Sequence, residues 1–211
     1  SDQIVDQDFF NLLIHIKQNN LRLNSLPYLL EDSLNSLGMK NEEKAYLSLL
    51  RFFTFDRITL NDLHSLSFQT DISDYTYSDA AWNQMKEMRL TQKENEKRAK
   101  SIYCLLIKMF IIAFSTKESS KNKLAQLIDF TNKQLGVYFE NGIILAYWYF
   151  DRSEKCVTKF FAKIQPLAKE KLRKIEGMAW DLFHLWNLPT EMAILSNMYN
   201  CLSLQSLATH D

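Results

Sequence analysis

Residues 78–115 read SDAAWNQMKEMRLTQKENEKRAKSIYCLLIKMFIIAFS, with neither Gly nor Pro anywhere in the stretch. A run of that length with no breaker reads as one long helix, or two in line. Its halves differ in character. Lys86 to Lys100 mixes both signs of charge, whereas Ile102 to Phe114 is apolar nearly all round and holds a single charge, Lys108. An all-round apolar helix is expected in a core, and a charged one is expected to project into solvent. The apolar run is too short to span a bilayer, so no membrane partner is expected.

Periodicity extends the helical reading in both directions. Phe9, Phe10, Leu13 and Ile16 predict a helix over 6–19, and Leu30, Leu34 and Leu37 a second one opened by Pro27 and closed by Gly38. A third is expected over 41–53, with Glu42 and Glu43 favoured by the dipole of its first turn. A short one follows Thr59. Beyond the long segment, helices are expected over 121–135 with Gly136 stopping the last turn, then 138–150, 153–164 and 166–186. The end differs: Cys201 to Thr209 partly alternates and reads as a short strand. The expected fold is mostly α, a single helical domain over 1–211 with a minor β element near the C-terminus. Within it, residues 40–165 are expected to be a helical insertion or elaboration.

Composition agrees and excludes several classes. Four Gly and three Pro in 211 residues are too few for a strand-and-turn architecture. Hydrophobic residues at 46% and charged residues at 24% fit a soluble globular chain. Lys plus Arg balance Asp plus Glu at 25 each, so no global field steers the chain to a polyanion. Three cysteines, Cys104, Cys156 and Cys201, form neither a disulfide framework nor a zinc motif, and a cytoplasmic location is expected. No signal-peptide pattern opens the sequence. The opening Ser and the abrupt ending at Asp211 suggest a processed, tagged or truncated chain.

No phosphate-binding Gly-rich loop, Gly-x-Ser-x-Gly elbow, His-Glu-x-x-His or Cys-x-x-Cys is present. Three acidic places stand out instead. In Lys174 to Trp186, Asp181 sits among Met178, Ala179, Trp180, Leu182, Phe183, Leu185 and Trp186. A buried carboxylate must find a donor, a cation or a metal, or shift its pKa; His184, one turn on and on the same face, could be that partner, and a buried Asp that caps or anchors a neighbouring loop is the plainer reading. In Leu26-Pro-Tyr-Leu-Leu-Glu-Asp32, the pair Glu31 and Asp32 interrupts a Leu-rich helix. Its plainer reading is a solvated helix face. Leu207-Ala-Thr-His-Asp211 places a carboxylate at the end of the expected strand, where ligand sites gather in α/β folds. An ordinary loop Asp is the plainer reading there.

The order of these three windows resembles the PIN-like nuclease superfamily, whose members line a metal site with acidic residues supplied in that sequence. The resemblance implies that Glu31 (or Asp32), Asp181 and Asp211 are metal ligands and catalytic carboxylates, with His184 and Thr209 behind them. The family's first acidic strand has no counterpart, because no β-branched run leads to Asp2, Asp6 or Asp8. What it implies chemically is RNA phosphodiester hydrolysis by a Mg²⁺- or Mn²⁺-activated water, in a toxin or phage-defence effector held by a protein partner or antitoxin.

Lys169, Lys171, Arg173 and Lys174 would then touch RNA phosphates, as could the basic side chains between Lys86 and Lys100. A solvated helix face is the plainer reading of both stretches. Two rival functions remain. One is a non-catalytic helical interaction domain, using the Leu-rich faces or the aromatics between Tyr138 and Phe150. The other is an all-helical His/Asp phosphohydrolase, which requires His184 and His210 to meet at a metal.

Overall fold

A computed structural model of the chain describes residues 7–21, 23–25, 42–65 and 78–199. It is mostly helical. Eight α-helices are present among the described residues, and no strand. The expected β element at 201–209 and the expected Leu-rich helix at 26–37 lie outside them. The helices are α1 Gln7–Gln18, α2 Glu42–Asp56, α3 Leu60–Ser65, α4 Ser78–Ser115, α5 Ser120–Phe130, α6 Glu140–Asp151, α7 Lys155–Phe161 and α8 Lys171–Tyr199. By internal contacts the chain divides into two compact units, 1–93 and 94–211, with the boundary inside α4.

In the first unit, Leu13 of α1, Ile58 and Leu63 of α3 form a buried cluster, with Phe10, Ile14 and Phe55 packed against it. Helix α3 starts in a reciprocal cap. The Thr59 amide donates to Asp62 Oδ2 (2.8 Å), and the Asp62 amide donates to Thr59 Oγ1 (3.1 Å). The hydrogen bonds from Thr59 hold the exposed Asp62 carboxyl below its usual pKa. Arg89 of α4 pairs with Glu42 of α2 at 2.8 Å, and the Tyr46 and Trp82 rings lie 5.0 Å apart across the same two helices.

Helix α4 is continuous over Ser78–Ser115, which settles the choice between one helix and two. Its charged half does not simply project into solvent. Ala81, Met85, Met88 and Gln92 are buried at spacings of four, three and four, so a narrow stripe packs while the charges take the remaining faces. Its apolar half is not wholly buried either: Ile102, Leu105, Leu106, Met109 and Ile112 are, while Ile111 and Phe114 are exposed.

In the second unit, α5 packs on α6, α6 on α7, and the turn after α7 on α8. Leu105, Leu106, Met109, Leu127, Phe161, Ile164 and Ile175 are fully buried there. Helix α5 passes into one π-helical turn over Thr131–Leu135, and Gly136 stops it at φ 61°. Ser119 caps α5 by accepting from the Asn122 amide. The close approach of α6 to α4 needs Gly142: a methyl there would stand 2.5 Å from Leu105 Cδ2 and 3.1 Å from Phe139 Cβ.

Helix α8 departs from expectation at both ends. It begins at Lys171 rather than Pro166, because Glu170 takes a left-handed φ of 52° and separates it from the preceding turn. It also runs past Trp186 and carries Pro189 inside it. Pro189 cannot donate to the Leu185 carbonyl. Both residues lie on the exposed side, where water can take the place of the missing donor.

Candidate functional site on helix 8

Of the acidic candidates, Glu31, Asp32 and Asp211 lie outside the described residues, as do Thr209 and His210; Asp181 is described. Its setting corrects the expectation of burial. Ile175, Met178, Ala179, Leu182 and Phe183 take the core-facing arc of α8, and Trp180 folds in beside them. At 100° per residue this leaves Asp181 on the opposite side with Lys174 and Leu185, and all three are exposed. Five buried side chains between positions 178 and 183 hold the helix while this one carboxylate faces water. The flanking residues are apolar because the helix is anchored there; they do not enclose the acid.

His184 sits at the edge of the anchored arc. Its ring stacks on Trp180 (5.7 Å between centroids, 22° between planes) and meets Phe183 edge-on at 5.3 Å. Its Nε2 is buried and makes no hydrogen bond. Burial therefore holds the imidazole below its usual pKa, favouring the neutral form. Two turns further, half-buried Glu191 is pushed upward by the same cause. The pair forms a border of α8 on which charge is disfavoured.

The basic candidates differ in availability. Lys169, Arg173 and Lys174 are exposed. Arg173 lies 3.8 Å from Glu170, a surface pair of small energetic weight. Lys171 is committed to the structure: its Nζ donates to the Pro166 carbonyl and lies 5.9 Å above the Phe110 ring. On the α4 basic stretch, Arg89 is held by Glu42 and Lys100 by Glu96.

Among the described residues, no group of three or more His, Cys, Asp or Glu comes together in a way that could hold a metal. Asp181 is a hard oxygen donor facing solvent, so it fits one ligand position for Mg²⁺ or Mn²⁺. Also among the described residues, no helix is long and apolar enough to cross a membrane. No protein family, curated protein or solved structure matches this chain.

Proposed function

We propose that the chain is a PIN-like, metal-dependent ribonuclease in which Asp181 is a metal-binding carboxylate. The observation that carries this reading is an exposed carboxylate on a helix anchored on both sides of it. A metal ligand must be both reachable and fixed, and α8 makes Asp181 both. The order of the windows holding Glu31 or Asp32, Asp181 and Asp211 adds the family's pattern. Glu31 (or Asp32) and Asp211 would supply the remaining oxygens, and the expected β element would carry Asp211.

A bound Mg²⁺ or Mn²⁺ would supply an activated water and stabilise charge on the cleaved phosphodiester. The chain's own residues would bind and orient. Lys174 precedes Asp181 by two turns on the same side of α8, about 10 Å along the axis, and both are exposed. That spacing suits a cation on a phosphate beside the one attacked, with exposed Lys169 and Arg173 extending the track. No side-chain nucleophile is needed. An intracellular toxin or phage-defence role, with an antitoxin-like partner in the cytoplasm, belongs to the same proposal. The exposed free thiols of Cys104 and Cys156 suit a reducing compartment.

The test is anomalous diffraction from crystals soaked in Mn²⁺. A peak within coordination distance of Asp181, lost in Asp181→Asn, is the expected result, and Mn²⁺-dependent cleavage of a labelled single-stranded RNA is the following step. A map with no peak at Asp181 overturns the reading.

One observation favours the rival, a non-catalytic interaction domain. Helix α6 has no charged residue between Glu140 and Asp151, and its outer face exposes Ile144, Tyr147 and Trp148 at helical spacing. Under that reading the Mn²⁺ map is empty, and Tyr147→Glu abolishes complex formation without altering the fold.

A further inference from the structure

The chain is neutral overall, but one stretch of its second unit is far from neutral. Between Lys155 and Lys174 there are seven basic residues and a single acid, Glu170. The rest of the chain therefore carries the compensating excess of acids. Like charges gathered in so short a stretch repel one another, a cost that a merely solvated surface avoids by mixing signs. The basic stretch of α4 does mix them: Glu87, Glu94 and Glu96 are interspersed there, and Lys100 pairs with Glu96.

The fold sets these cations out in a row. Val157 and Phe161 of α7 and Ile164 of the following 3-10 turn, Ala162–Ile164, are buried and fix the inner side. Lys155, Lys159 and Lys163, four residues apart, take the outer side, and all three are exposed. Successive members stand about 6–7 Å apart along the axis. Helix α8 packs against the 3-10 turn, and Lys171 ties its first turn to the Pro166 carbonyl. Exposed Lys169, Arg173 and Lys174 therefore continue the row at the same end of α8.

The row offers charge and no platform for bases. The aromatics within the stretch are Phe160 and Phe161; Phe161 is fully buried, and half-buried Phe160 meets it edge-on at 5.3 Å. Contacts would fall on phosphates, which position a strand without reading its sequence.

An anionic bilayer is the competing polyanion, because Leu167 and Leu172 are exposed in the same region, at 98% and 61%. Two leucines are little apolar surface with which to anchor a chain. A regularly spaced row suits a linear strand better than a plane of headgroups.

We propose that α7, the 3-10 turn and the start of α8 bind a single RNA strand through its phosphates, without base preference and without metal. That the polyanion is RNA rests on the nuclease reading; the accumulation of charge does not.

Fluorescence anisotropy of a labelled oligouridine titrated with the full chain in EDTA tests this, over roughly 50–200 mM salt. EDTA takes the metal out of the readout. Six cations on single-stranded phosphates give an expected log–log salt slope of about −4. Lys155→Gln, Lys159→Gln and Lys163→Gln combined should bring the slope to about −2 and weaken binding tenfold or more at low salt. Lys86→Gln, Lys93→Gln and Lys97→Gln combined remove the same charge from α4 and should leave the slope within about half a unit. All six of these lysines are exposed, so the folds should hold, as melting followed by circular dichroism would verify. Asp181→Asn should bind as the wild type does, and oligocytidine as oligouridine does.

No salt-dependent binding, equal effects of the two triple variants, or a tenfold base preference would overturn the proposal. So would binding to phosphatidylserine vesicles with none to oligouridine. RNA binding alongside an empty Mn²⁺ map at Asp181 would remove the nuclease and leave this surface standing. A Mn²⁺ peak without RNA binding would do the reverse.

Discussion

Asp181 and His184 stand one turn apart on α8 and answer to opposite environments. Asp181 is exposed, so Asp181→Asn should change the urea unfolding free energy by no more than about 0.5 kcal/mol while removing Mn²⁺ binding. A loss of stability as large as a core substitution would show that the carboxylate holds the fold instead. His184 carries the pH dependence. Its folded pKa lies below the usual 6.5, so the unfolded chain binds more protons in that range. Its contribution to stability is complete above pH 6.5 and is lost as pH falls through the folded value. Glu191, raised above 4.5, acts in the other sense: its contribution is complete below 4.5 and is lost as pH rises through its folded value. Urea midpoints measured between pH 7.5 and 5.5 should therefore fall less in His184→Gln than in the wild type; equal slopes would contradict this.

At the scale of elements, two helical glycines predict opposite outcomes. Gly142 of α6 faces Leu105, which is fully buried, and an added methyl would meet it at 2.5 Å. Gly142→Ala should destabilise by about 1–3 kcal/mol, as overpacking does. At Gly177 of α8 an added methyl would have nothing within 4 Å, so Gly177→Ala should stabilise by roughly 0.5–1 kcal/mol through helix propensity alone. Thermal melts of the two variants side by side check both signs. The elements also show where periodicity reads well. Helices α1, α2 and α6, and α5 taken with its π-helical turn, lie within three residues of their expected bounds, because apolar spacing and capping residues act locally. The start of α8 escaped because nothing local announces that Glu170 will adopt a left-handed backbone. Its continuation escaped because a proline on the wet side of a helix costs less than one in the interior.

For the whole molecule, the two compact units make the core substitutions separable. Leu49 is fully buried in the first unit and Phe161 in the second. Leu49→Ala should cost about 2–5 kcal/mol and Phe161→Ala about 3–5 kcal/mol. In native-state hydrogen exchange, the first should lower protection chiefly over residues 42–65 and the second over 120–164. Equal loss across both segments in both variants would show one cooperative unit.

The sequence alone determined that this chain is mostly helical, and it placed most of the helices. Those properties follow from backbone propensity and from the spacing of apolar residues, which act over a few positions. It also singled out Asp181, because a carboxylate inside an apolar run is visible without coordinates. Tertiary structure decided which way that carboxylate faces, since the arc of α8 that becomes core depends on what packs against it. The aromatics from Tyr147 to Phe150 divided on the same ground: Tyr149 and Phe150 went inward, and Tyr147 and Trp148 stayed out.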